Sequence, residues 1–168
     1  MRILVLLIGA LLAQGASAGS TPEQTVAALW PSLSHAAGEP GDAATLGRLF
    51  QPDGVVFGGT HRENKPVFTR TSAADFITAQ GRPRPKPFYE CEVAREVKTY
   101  DRFATVYSVV ESRTDRNAAK PDFVGVNSIQ LYKFDDEWKI IALYYHVESP
   151  GLRISLEGGK SGICLGAD

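Results

Sequence analysis

The chain has 168 residues, 43% of them hydrophobic and 22% charged, with 18 Lys and Arg against 19 Asp and Glu. That apolar content with a net charge of −1 excludes a disordered chain, and the lack of a basic excess argues against a dedicated nucleic-acid binder. The length suits one domain.

The chain begins with a leader pattern. Met1-Arg2 is a short positive start, residues 3–12 are almost unbroken apolar sequence, and Ala16-Ser17-Ala18 supplies small residues for cleavage. This predicts a secretory signal peptide over residues 1–18, since a membrane-spanning helix needs about 20 apolar residues. No membrane span is expected, and the mature protein, starting at Gly19, should be exported to a periplasm or beyond the cell. In an oxidising compartment Cys91 and Cys164 read as one disulfide that ties a Gly-rich tail to the start of a strand. Closing so long a loop is worth on the order of 4 kcal/mol in the chain-entropy model. Two buried free thiols are the alternative. There is no Cys-x-x-Cys and the three His are scattered, so no metal site is expected.

Thr21-Pro22-Glu23-Gln24 is a helix start, with Thr21 as cap, Pro22 at the first position and Gln24 completing a capping box. Val26, Leu29, Trp30 and Leu33 then form one apolar helical face, with a kink or break expected at Pro31. A second short helix is predicted from the Asp42 cap to Phe50, with Leu46, Leu49 and Phe50 inward. Pro52-Asp53-Gly54 reads as a tight turn before a short strand at Val55-Val56-Phe57. His61 and Glu63 fall in a polar loop, and Ser72 with Asp75 starts a third helix. The segment Gly81-Arg82-Pro83-Arg84-Pro85-Lys86-Pro87 is an extended connector, because its prolines remove backbone donors. Its three basic residues either lie in solvent or contact an anionic ligand or partner.

Four strands follow at 88–100, 103–113, 123–134 and 138–147, rich in Val, Ile, Tyr, Phe and Thr. Asp101-Arg102 and Asp135-Asp136-Glu137 make hairpin turns between them. The order of helices, short strand, helix and four strands predicts an α+β fold, a curved antiparallel sheet wrapped around the N-terminal helices with a cavity between. The last run is apolar on both faces, which suits helices on one side and a second subunit on the other.

On Leu49-Phe50-Gln51-Pro52-Asp53-Gly54, the strands around Glu92-Val93-Ala94-Arg95 and Ser108-Val109-Val110-Glu111-Ser112-Arg113, Gly125-Val126-Asn127-Ser128-Ile129-Gln130-Leu131 and the closing Trp138–Glu148 run, the chain resembles the nuclear transport factor two-like superfamily, in particular its SnoaL-like branch. The resemblance covers residues 21–148. It implies a cone-shaped α+β barrel with a pocket and frequent homodimers, in a superfamily of isomerases, cyclases, dehydratases, epoxide hydrolases and binding domains. The domain is thus expected over residues 19–148, with a tail over 149–168 that covers the cone mouth, straps a sheet edge through Cys164 or stays partly mobile.

Catalytic members use a carboxylate and a neutral hydrogen-bond donor in an apolar pocket, where both are strengthened. Alternation puts Tyr107, Val109 and Glu111 on one face and Tyr144, His146 and Glu148 on one face of the last strand. Glu111, Tyr107 and His146 are the catalytic candidates if they converge; otherwise Glu111 pairs with Arg113 or Arg95. Arg95, Asn127, Ser128, Gln130 and Tyr144 are ligand-binding candidates, with Arg95 and Glu92 expected on opposite faces and either Asn127 or the Ser128 and Gln130 set facing the cone. Gly15-Ala16-Ser17-Ala18-Gly19 straddles the cleavage site, and Gly159-Lys160-Ser161 lacks the earlier glycine of a phosphate loop, so neither is a site. The expected function is an exported domain that binds a small, mostly apolar molecule. A cofactor-free enzyme using acid–base chemistry and a periplasmic interaction module with a filled cone are the alternatives. No cofactor, nucleic-acid partner or metal is expected.

Overall fold

The computed structural model describes residues 19–166, so the leader expected over residues 1–18 lies outside them. Helices α1 (Pro22–Leu33), α2 (Ala43–Leu49) and α3 (Ala73–Gln80) pack on one face of a six-stranded sheet. The strands are β1 (Phe50–Arg62), β2 (Lys65–Ser72), β3 (Tyr89–Tyr100), β4 (Phe103–Arg113), β5 (Phe123–Phe134) and β6 (Glu137–Val147), in the spatial order β2-β1-β6-β5-β4-β3. Neighbours pair antiparallel except β1 and β6, which run parallel. The α+β fold with an open curved sheet is thus as expected, although the parallel pair makes the sheet mixed.

The helix stripe of Val26, Leu29, Trp30 and Leu33 is buried, as the spacing predicts. Thr21 Oγ1 accepts from Gln24 N at 3.2 Å, while the Gln24 carboxamide accepts from Ser20 rather than closing a box on Thr21. Inside the core, Thr25 Oγ1 donates to Trp138 O at 3.1 Å and pins α1 to β6. The break expected at Pro31 does not occur. Pro31 lies in the last turn, the helix runs on to Leu33, and Ser34 N donates back to Trp30 O and Pro31 O. A proline this close to the end forfeits one bond rather than a ladder of them.

Two expectations about the first strand are corrected. Phe50 opens β1 instead of closing α2, and Pro52-Asp53-Gly54 lies within β1 as a bulge rather than a turn. Pairing with β6 shifts from Phe50–Ile140 to Val55–Ala142 across it. The predicted polar loop at His61 and Glu63 is a hairpin, with Glu63 and Asn64 at φ 51° and 60° turning β1 into β2. Two successive positive φ values give the turn whose twist matches paired strands.

Alternation along β4 assigns the two faces of the sheet. Ala104, Val106 and Val110 point toward the helices and join Ile129, Ile140 and Leu143 in the main core. Val109 points the other way and packs with Cys91, Val93 and Ala94 beneath Ile154, Leu156 and Cys164 of the tail. Cys91 and Cys164 form the disulfide, with Cα atoms 5.0 Å apart. Leu165 N donates to Glu92 O and Gly162 N to the Glu111 carboxylate, so the tail lies on the outer face of β3 and β4 instead of over the cavity. Gly159 passes so close that a Cβ there would sit 2.3 Å from Val93 O.

Cys164→Ser should therefore lower the urea midpoint, by an amount equivalent to roughly 2–4 kcal/mol, with the tail becoming the first site of proteolysis. An unchanged midpoint would mean that the hydrogen bonds hold the tail without the covalent link.

Candidate functional site

A cavity of about 660 Å³ opens between the inner face of the sheet and the α1 end of the helical layer. Trp30, Phe76, Phe88, Val110, Leu143 and Tyr145 give it a largely apolar wall. Adjacent glycines of β1 leave room for rings of β6. A Cβ on Gly58 would lie 2.4 Å from the Tyr145 hydroxyl, and one on Gly59 would lie 2.2 Å from His146 Nδ1. Tyr145 thereby crosses β1 on the inner face and His146 crosses it on the outer.

Polar side chains make up the smaller part of this wall's surface. Glu90, the second residue of β3, is on its inward phase opposite Ser112, whose hydroxyl donates to Glu90 Oε1 at 3.3 Å. Its backbone N–H donates to Ser34 Oγ at 2.9 Å, which fixes the strand start against the end of α1. Burial pushes the Glu90 carboxyl up to about 7, with the Ser112 bond a smaller opposing effect. Trp30 and His35 also line the cavity, and among the described residues Trp30 Nε1 and His35 Nε2 have no hydrogen-bond partner. His35 Nδ1 lies 3.0 Å from Ala36 O, so this nitrogen carries a proton, and in the neutral ring Nε2 is left as an acceptor. Asn127 completes the wall on β5.

A second polar cluster is already satisfied. Glu92 pairs with Arg95 and accepts from Ser108 Oγ at 2.6 Å, while Arg95 Nη1 donates to Glu23 O of α1. The expectation that Glu92 and Arg95 face opposite ways is corrected by a bulge at Val93, which shifts the register between Glu92–Val110 and Ala94–Val109. One extra residue turns an odd spacing into a same-face pair. Arg95 is thus a brace between β3 and α1.

The predicted site residues are divided by the sheet. Asn127 reaches the cavity. Glu111 and Tyr107 lie on the outer face, where Arg113 Nη2 and Gly162 N each reach Glu111 Oε2 at 2.8 Å. The pairing of Glu111 with Arg113 is the alternative that the sequence allowed, and it removes Glu111 from the cavity. Ser128, Gln130 and Tyr144 share that outer face. His146 borders the cavity but its ring lies against His61 and Tyr144, with Tyr144 Oη 3.1 Å from Nδ1. His61, assigned to a loop from sequence, sits in β1 with Nε2 3.2 Å from Ser149 Oγ. The candidate trio therefore does not converge. Glu90 and His35 were missed. Alternation about Cys91 was the available signal, because a Cys facing an outer tail turns Glu90 and Glu92 inward. Among the described residues no group of three or more His, Cys, Asp or Glu is placed to hold a metal.

Solved structures match this architecture. A protein of unknown function from Shewanella baltica superposes with a TM-score of 0.53 at 14% identity, covering 75% of this chain and 90% of its own. That relative is itself nuclear transport factor two-like. The chain has the nuclear transport factor two-like fold. A Nostoc punctiforme protein of cystatin-like fold matches at TM-score 0.55 and 16% identity, over 77% of this chain and 90% of its own. A Parabacteroides distasonis protein, provisionally called a ketosteroid isomerase, matches at 0.52 and 15%, over 77% and 89%. No family profile matches the chain, and no curated protein matches it in sequence. Identities this low carry the nuclear transport factor two-like fold and not an activity.

The outer-face cluster makes a pH prediction. Burial opposes the charge on Glu111, but bonds from Ser161, Arg113 and Gly162 outweigh it and hold the carboxyl below its usual value. A depressed folded-state value contributes stability that is present above the unfolded-state value and lost as pH falls through the folded one. The tail should hence become protease-sensitive only on the acid side, and Glu111→Gln should make it sensitive at pH 7 by leaving Arg113 buried without its counter-charge. Equal cleavage of the two proteins at pH 7 would contradict the clamp.

Proposed function

We propose that this protein binds a small, mostly apolar molecule in the inner-face cavity. The observation that carries this reading is the cavity of about 660 Å³ with aromatic and aliphatic walls and a few polar groups, which is the usual make-up of a small-molecule site. Unpartnered Trp30 Nε1 and His35 Nε2 beside it support the reading, since buried polar groups are normally paired and here a ligand would supply an acceptor and a donor. An open volume of this size speaks against a cone filled by its own side chains. The Cys91–Cys164 disulfide supports export to an oxidising compartment. Phe57, Phe68 and Tyr144 form a ring cluster on the outer face of β1, β2 and β6, and this supports a homodimer that covers it.

A second reading has one observation in its favour. A carboxyl pushed to about 7 in an apolar wall is matched to proton transfer near neutral pH. In that reading Glu90 is the acid or base, and no cofactor is needed.

Native mass spectrometry of the mature protein, recovered from an oxidising compartment, checks the reading. The expected result is extra mass that leaves on denaturation, retained by Glu90→Gln and reduced when Val110→Trp fills the cavity. If Val110→Trp keeps the adduct, the ligand sits elsewhere. If Glu90→Gln binds the recovered molecule but no longer converts it, the acid–base reading gains its residue.

A further inference from the structure

The connector between α3 and β3 forms one rim of the cavity. Arg84, Pro85, Lys86 and Pro87 all line it, and the Arg84 and Lys86 side chains are also exposed to solvent, which puts them at the mouth. This rim is held by backbone bonds rather than left as a loose linker. Gly38 N donates to Arg84 O at 2.7 Å, Arg84 N donates to Glu39 O, and His35 and Phe88 exchange both of their backbone bonds. Among the described residues neither the Arg84 guanidinium nor the Lys86 ammonium has an ion-pair or hydrogen-bond partner, although five other Lys or Arg side chains are ion-paired. Glu90 is the only acidic residue among the described residues of the wall. Burial pushes its carboxyl up to about 7, so near neutral pH it offsets only part of the positive rim.

From these positions we infer that the cavity takes an amphipathic organic anion, its apolar body against the Trp30, Phe76 and Phe88 wall and its carboxylate at the mouth between Arg84 and Lys86. The inference rests on the cavity being a ligand site and adds the class of ligand. The Arg84 fork suits a two-oxygen head group, and Lys86 adds a point charge beside it. An apolar body alone would need only the wall, and the two unpaired cations held over the opening by four backbone bonds would have no role.

The test compares decanoate with decan-1-ol, which share a chain and differ in head-group charge, by calorimetric titration of the mature disulfide-bonded protein below micellar concentrations. Exposed ion pairs are individually weak, so decanoate should bind about three- to tenfold more tightly than the alcohol. Arg84→Glu with Lys86→Glu should reverse that preference and leave the alcohol within about twofold of wild type. Both side chains are exposed, and circular dichroism checks that the variant is folded. On the unmodified protein, raising the salt from 20 to 500 mM should weaken decanoate binding and not the alcohol's, because exposed charges are screened. If the two ligands bind equally and neither charge reversal nor salt separates them, the anion inference falls while the cavity reading stands. Binding of the alcohol alone likewise overturns the anion inference and leaves the cavity reading in place. If neither binds, both readings fall together.

Discussion

One extra residue in β3 sets the phase of everything around it. Before Val93, alternation places Glu90 and Glu92 toward the helices and Cys91 toward the tail; after it, Arg95 and Val97 face the helices. Without the bulge the second half of β3 would be inverted, turning Arg95 out from under α1 and Val97 away from the core. A one-residue slip moves an entire run to the other face of a sheet, so the bulge is a condition for α1 to pack where it does. The bulged backbone is itself used. Leu165 N bonds Glu92 O, and Gly159 passes over Val93 where no side chain would fit.

The sheet then separates two tasks. Its inner face meets three helices and leaves an apolar volume with Glu90, Trp30 and His35 around it. Its outer face carries the satisfied ion pair of Glu111 and Arg113 and the disulfide, both directed at the tail. Breaking a buried pair on one side strands a charge and is costly, which suits a fastening better than a reactive group. Trp30 Nε1 and His35 Nε2 beside the cavity differ in being unsatisfied among the described residues, and that is what a ligand can complete.

Much of the fold was legible because its signals are local. The stripe on α1, the Ser72 cap and the four long strands separated by Asp101 and Asp135 turns all depend on neighbours within a few residues. β2 was hidden for a physical reason. It is an edge strand that contains Pro66 and exposes Lys65, Thr69, Arg70 and Ser72, so it carries no apolar alternation. The site was harder to read. Strand alternation correctly grouped Tyr107 with Glu111 and Tyr144 with His146, but it gives no absolute direction, and those groups turned out to face away from the helices. For β3 even the grouping failed, since a bulge at Val93 leaves no mark in composition.

The environment of Glu90 is where the inner-face cavity is most directly tested. Carbon-detected NMR titration of the assigned Glu90 carboxyl, in the wild-type protein, reads that environment without any ligand. The predicted midpoint is about 7, set by burial in the cavity wall. A midpoint near the ordinary value of 4.5 would mean that bulk water reaches the carboxylate freely, and would contradict an apolar cavity as the working part of the molecule.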